Sequence, residues 1–152
     1  MKAVPVVIVL AAGAGTRFAG RSHKLAQPFG HSTVLGTTLA QVVASHLPAV
    51  VVTTRGLREV AHGWVAAQDV VEVPEVGPGS PQLGMGYSIA AGVRARGDAP
   101  GWLVLPGDMP LVKASTLRAV AAALQHHPVA YAQHRGRRGH PVAFSGELFS
   151  EL

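Results

Sequence analysis

Val6-Val7-Ile8-Val9-Leu10-Ala11-Ala12-Gly13-Ala14-Gly15-Thr16-Arg17-Phe18, with Lys24 shortly after it, is the stretch whose reading decides the fold. A run of β-branched and aliphatic residues opening into small residues and glycines predicts a buried parallel strand, followed by a loop whose backbone approaches a ligand closely. Gly13 and Gly15 remove side chains where N–H groups can point at phosphate oxygens, and Arg17 and Lys24 bring positive charge to the same place. No Gly-Lys-Ser/Thr follows, so this is not the common phosphate loop, and Phe18 stands where a dinucleotide fingerprint would carry its third glycine. The plainer alternative is a strand and an ordinary glycine turn with two solvated charges.

Outward from that stretch, 152 residues suit one domain with a real core. With 48% hydrophobic and 14% charged residues, the chain is neither disordered nor a coiled coil. Gly13, Arg17 and Lys24 interrupt the first apolar run before the roughly 18 residues a membrane span needs. A signal-peptide pattern is missing and there is no cysteine, so disulfides and thiolate metal sites are excluded and a cytoplasmic protein is expected. Thirteen Lys and Arg against eight Asp and Glu suit an anionic partner. The basic residues are scattered apart from Arg135-Gly136-Arg137-Arg138 and aromatics are only 5%, which favours a small phosphorylated ligand and argues against nucleic acid.

Along the chain, apolar residues at Val34, Leu35, Leu39, Val42 and Val43 predict a helix over 33–46, capped by Ser32 or Thr33 and ended by Pro48. Strands are expected at 49–53, 70–73, 102–105, 129–132 and 141–144. Further helices are expected over 57–67, where Gly63 weakens the pattern, over 87–94, and from about Ser115 to His126. This alternation predicts an α/β layered domain with a mainly parallel sheet. Its ligands should gather at the carboxyl ends of the strands, where the strand order reverses.

Asp108 is one of three aspartates and sits in the turn Pro106-Gly107-Asp108-Met109-Pro110 directly after an apolar strand. A carboxylate there suits Mg²⁺, which combines one or two carboxylates with substrate phosphates and water; the alternative is an Asp that satisfies turn backbone. Gly84-Met85-Gly86-Tyr87-Ser88 offers close-approach glycines, helix-start N–H groups and a hydroxyl for a base, ribose or phosphate. Alternatively it is a plain helix cap with Met85 and Tyr87 in the core. Arg135-Gly136-Arg137-Arg138-Gly139-His140-Pro141 reads either as a grip on a second phosphorylated substrate or as a solvated hairpin turn. The eight histidines show no metal-ligand spacing, and no hydrolase triad is visible.

Taken together, Leu10-Ala11-Ala12-Gly13, Arg17, Lys24 and Gly107-Asp108-Met109-Pro110 resemble the nucleotidyltransferases of the molybdenum cofactor guanylyltransferase-like group. Gly84-Met85-Gly86-Tyr87-Ser88 and Gly139-His140-Pro141-Val142 look most like its molybdenum cofactor cytidylyltransferase branch. The resemblance implies a three-layer Rossmann-like nucleotide-binding domain of the nucleotide-diphospho-sugar transferase kind, dependent on Mg²⁺. It implies transfer of a nucleoside monophosphate from CTP or GTP to the phosphate of a molybdopterin-type acceptor. The Leu-Ala-Ala-Gly form is associated with CTP over GTP, but superfamily members that make sugar or alditol nucleotides carry it too.

On this reading Arg17, Lys24 and Asp108 are the catalytic residues, with Asp108 as metal ligand. Leu10, Ala11, Ala12, Gly13, Gly15, Thr16, Arg17, Lys24, Gly84, Met85 and Ser88 bind the nucleotide, while Arg137, Gly139 and His140 bind the acceptor. Family members usually continue past Phe144 with further helices, so residues 1–152 are expected to form a single nucleotidyltransferase domain lacking the usual C-terminal segment. The rival from another class is a nucleotide- or cofactor-binding chaperone that hands molybdenum cofactor to a molybdoenzyme.

Overall fold

The computed structural model describes residues 4–12, 28–29, 32–74 and 85–151. Gly13, Gly15, Thr16, Arg17, Lys24 and Gly84 lie outside the described residues.

The opening apolar run forms β1 (Val6–Ala11), all but one of whose residues are buried. A two-residue ribbon, β2 (Pro28–Phe29) with β3 (Ser32–Thr33), precedes the helix α1 (Val34–Ala44) and was not foreseen from the sequence. Thr33 caps α1, its Oγ1 accepting the Gly36 N–H at 2.9 Å. Next come β4 (Ala49–Thr53), α2 (Arg58–His62), β5 (Val70–Glu72), α3 (Met85–Ala95), β6 (Gly101–Pro106), α4 (Ala114–Ala123), β7 (Val129–His134) and β8 (Arg137–Ser145), closed by a 3-10 turn at Gly146–Glu151.

The main sheet has six strands in the order β5-β4-β1-β6-β8-β7. β5, β4, β1 and β6 are parallel, while β8 is antiparallel to β6 and pairs antiparallel with β7. After β1 the chain moves outward through β4 to β5, then α3 carries it back past both to β6 on the other side of β1. The direction therefore reverses between β1 and β6, which opens a crevice above their carboxyl ends.

The period-2 alternation of the strands sorts the core into two layers. Val7, Val9 and Ala11 of β1 with Leu103 and Leu105 of β6 pack under Leu35, Leu39 and Val42 of α1 and Leu117 and Val120 of α4. Val6, Ile8, Val50, Val52 and Trp102 face the opposite side, where Val93 of α3 covers them. Arg96, just past α3, pairs with Asp69 at 2.6 Å just before β5. That contact fixes the last turn of α3 at the amino edge of the sheet and so puts Met85 at the carboxyl edge.

Some boundaries differ from expectation. The helix expected over 57–67 is a 3-10 turn at Arg55–Leu57, the short α2 and a second 3-10 turn at Ala67–Asp69, because Gly63 ends α2 as its C-cap. Two of the arginines expected in the basic turn, Arg137 and Arg138, belong to β8. The turn itself is Arg135-Gly136, both at positive φ (51° and 79°), as a tight two-residue hairpin requires.

A Cβ at Gly92 in α3 would stand 2.6 Å from Ile8 Cγ2 and 3.1 Å from Val52 Cγ2, whereas one at Gly86 would meet no described atom within 4 Å. Alanine in a helix interior normally gains about 1 kcal/mol over glycine, but overpacking costs about 1–3 kcal/mol. Gly92→Ala should therefore lower the denaturant midpoint, while Gly86→Ala should leave it unchanged or raise it. At Gly136 the positive φ decides: Gly136→Ala should cost about 1 kcal/mol and Gly136→Asn less in the same unfolding measurement.

Candidate active site

The crevice at the strand reversal begins where β1 stops. Leu10 is partly buried, Ala11 is fully buried at the end of β1, and Ala12 packs against the α3 layer. Across the crevice, β6 ends at Pro106 and the chain turns at Gly107, whose N–H donates to the Leu10 carbonyl at 2.8 Å. That bond continues the β1–β6 ladder by one step and stops it there. The next residue, Asp108, is exposed at the carboxyl edge, one residue beyond the bond that ties Gly107 to Leu10 of β1.

The start of α3 reaches the same edge. Met85, its first residue, is 62% exposed and Tyr87 is 42% exposed, which overturns the alternative that these two side chains pack in the core. Ser88 is partly buried in the same first turn of the helix. An eleven-residue helix directs N–H groups that have no partner within the helix itself, and the positive end of its dipole, toward this edge.

On the other flank, Ser145 of β8 pairs with Gly101 and Val142 with Val104. Residues 137–139 of this antiparallel strand consequently run out past the carboxyl end of β6, on Asp108's side of the sheet, with His140 level with its last residue. Arg137 and Arg138 are exposed there, Gly139 and His140 partly so, and the Arg138 guanidinium lies 5.1 Å from the centre of the Tyr131 ring. Such a cation–ring contact restrains a long side chain that would otherwise be free.

A further feature was missed in the sequence. Beyond β4 and β5, Arg55, Glu72, Val73 and Pro74 line an open groove of about 430 Å³ on the opposite side of β1 from Asp108. Glu72 is also 3.5 Å from the Arg58 guanidinium. Two buried hydroxyl residues stand here: Thr53, the last residue of β4, is paired with Ala11, and Thr54 follows it. The signal available was their position at the end of a predicted buried strand, close to the signal that selected Asp108.

Among the described residues, no group of three or more His, Asp or Glu side chains could cage an ion. The arrangement at the crevice is instead one exposed carboxylate beside a loop root and a helix start, with arginines to one side. That donor set fits a hard divalent cation shared with substrate phosphates, since Mg²⁺ keeps waters and takes one or two carboxylates plus phosphate oxygens. No helix among the described residues is long and apolar enough to cross a membrane.

Known proteins share both the sequence and the architecture. The bifunctional protein GlmU of Paracidovorax citrulli is 40% identical over 119 residues, covering 77% of this chain and 25% of the relative, so this chain spans about a quarter of that protein's length. The crystal structure of Rv0371c from Mycobacterium tuberculosis H37Rv superposes with a TM-score of 0.74 at 28% identity, covering 99% of this chain and 76% of that one. Its complex with manganese superposes at 0.71 with 25% identity, over 97% and 74%. A nucleotidyl transferase from Methanothermobacter gives 0.69 at 27% identity, over 97% and 74%. Residues 7–152 match the model of the MobA-like NTP transferase domain, so β1, the Asp108 turn and the β7–β8 hairpin all fall within the match, and the chain belongs to that family.

Proposed function

We propose that this chain is a nucleotidyltransferase that moves a nucleoside monophosphate from CTP or GTP to the phosphate of a molybdopterin-type acceptor, with release of pyrophosphate. The observation that carries the proposal is the exposed carboxylate of Asp108 at the strand reversal, beside the root of the β1 loop, in a chain of the NTP transferase family.

On this reading the substrates follow the strand order. Along the carboxyl edge stand the Arg55–Glu72 groove, the end of β1, Asp108 and the arginine hairpin. A nucleoside triphosphate laid across β1 would put its base in the groove and its phosphates over the loop. The acceptor phosphate would enter from the hairpin, on the far side of Asp108, with Arg137, Gly139 and His140 around it. Gly84, Met85 and Ser88 would contact the nucleotide from the α3 side.

In the reaction an oxygen of the acceptor phosphate attacks the α-phosphorus, a new P–O bond forms, and the bond to the β-phosphate breaks with the electron pair leaving on pyrophosphate. A phosphate monoester, whose second pKa is about 6, is already largely dianionic near neutral pH, so the step asks for no strong base. The obstacle is repulsion between anions, which preorganised charge lowers. Lys24 and Arg17 would bind the triphosphate and the charge that develops on it, and the Gly13–Gly15 backbone would cradle it. Asp108 would hold Mg²⁺, which when bound neutralises and orients phosphate oxygens. The manganese complex of Rv0371c supports the use of a divalent ion at this fold.

Pyrophosphate release, measured with each nucleoside triphosphate, Mg²⁺ or Mn²⁺, and molybdopterin or sugar and alditol phosphates as acceptors, tests the proposal. Release only with a sugar or alditol phosphate would reassign the acceptor, and no release with any of them would leave a binding protein. Lys24→Ala and Asp108→Ala should each lower turnover by about 10²-fold or more, comparable with losing one preorganised charge contact. Near-normal turnover in both variants would contradict the assignment.

A further inference from the structure

α1 lies on the face of the sheet that carries α4, and two of its polar side chains reach across to the connection between β6 and α4. Thr38 is 1% exposed, so its hydroxyl must find a partner inside the protein. Its Oγ1 stands 2.8 Å from the Gly107 carbonyl oxygen and 3.0 Å from the Val34 carbonyl oxygen one turn back in α1. A hydroxyl has one proton to donate, and the shorter contact is the one that crosses 69 residues of sequence. One turn further along α1, Gln41 Oε1 accepts the N–H of Ala114 at 3.0 Å, and Ala114 is the first residue of α4.

That N–H is one of the helix-start donors with no partner inside its own helix. Lys113, the N-cap of α4, supplies no side-chain hydrogen bond, so Gln41 does a cap's work from another helix. The two bonds fall at the two ends of the connection from Gly107 to Ala114 that carries Asp108. Gly107 is gripped twice, its N–H by the Leu10 carbonyl of β1 and its carbonyl by Thr38 of α1. The Cα of Asp108 is one peptide unit beyond that double grip, and Ala114 fixes where the connection ends.

We propose that Thr38 and Gln41 are positioning residues that hold the Asp108 carboxylate at the crevice from behind, through the backbone of Gly107 and Ala114. Neither touches the substrate edge; each acts through the turn. The inference rests on the role given to Asp108 above, and it adds that α1 sets where that carboxylate stands. A threonine does this better than a serine because its branched Cβ restricts χ1, and valine keeps the shape while losing the donor.

Two measurements on the full chain test it, with wild type, Thr38→Val, Thr38→Ser, Gln41→Leu and Val120→Ala. The last truncates a buried side chain of α4 away from the turn and serves as the stability control. In native-state hydrogen exchange, the amides of residues 107–114 should exchange about tenfold or more faster in Thr38→Val and in Gln41→Leu than in Val120→Ala, with Thr38→Ser near wild type. Rates in Thr38→Val and Gln41→Leu no greater than in Val120→Ala would overturn the proposal.

In pyrophosphate release with CTP, GTP, UTP or ATP, whichever the wild type turns over, Thr38→Val should raise the Mn²⁺ concentration for half-maximal rate about fivefold or more. The KM for the nucleotide should stay near wild type, and Thr38→Ser should restore the metal response. Asp108→Asn separates the two ideas. If Asp108→Asn loses the metal response and Thr38→Val keeps it, the positioning role falls alone. If Asp108→Asn also keeps it, the metal role of Asp108 falls, and the exchange rates still decide whether α1 braces the turn.

Discussion

The carboxyl edge of this protein depends on β1 being paired in parallel on both sides by strands that reach it along opposite routes. β4 arrives after α1, and β6 arrives only after the chain has passed through β5 and α3. Two parallel ladders need both neighbours in register, and they are: Leu10 aligns with Val52 on one side and Pro106 on the other. Because the routes diverge, no crossover helix among the described residues covers the space above the ends of β1 and β6. The fold thereby leaves a crevice at the strand reversal, and the described polar residues beside it, Asp108, Ser88 and the β8 arginines, come from separate parts of the chain.

Burial and function are divided along each strand. The middle of β1 and β6 is buried on both faces, as expected for parallel strands covered by helices on each side. Only where each strand ends can the backbone turn outward and show a side chain to solvent. Asp108 takes that position after β6, Arg55 takes it after β4, and Glu72 ends β5. A buried apolar layer below and short exits above fix the backbone from which these groups project, and a fixed backbone is one requirement of preorganised electrostatics.

The sequence made the parallel half of this architecture legible. The apolar runs of β1, β4 and β6 are dense in Val, Ile and Leu and are interrupted at the places where the strands end, and the expected span of β4 matches the observed one. Asp108 could be singled out because it follows such a run inside a turn bounded by two prolines. The antiparallel half was less legible. Arg137, Arg138, Gly139 and Pro141 carry turn and surface chemistry, yet they lie in a nine-residue strand because β7 and β6 supply hydrogen-bond partners from elsewhere in the chain. The same limit explains the groove at Arg55 and Glu72: these residues are far apart in sequence, and only the β4–β5 pairing brings them together. Over 57–67 the helical spacing was genuine but local, and Gly63 ended α2 where periodicity alone would have continued it.

The central claim is that Asp108, at the strand reversal, shares a divalent ion with the phosphates of a nucleotide lying over the end of β1. Crystals grown with Mn²⁺ and CTP, examined by anomalous scattering at the manganese edge, test it most directly. The account predicts a manganese peak within coordination distance of the Asp108 carboxylate, with the triphosphate between it and Ala12. A peak held by other groups, with the nucleotide away from β1, would contradict it.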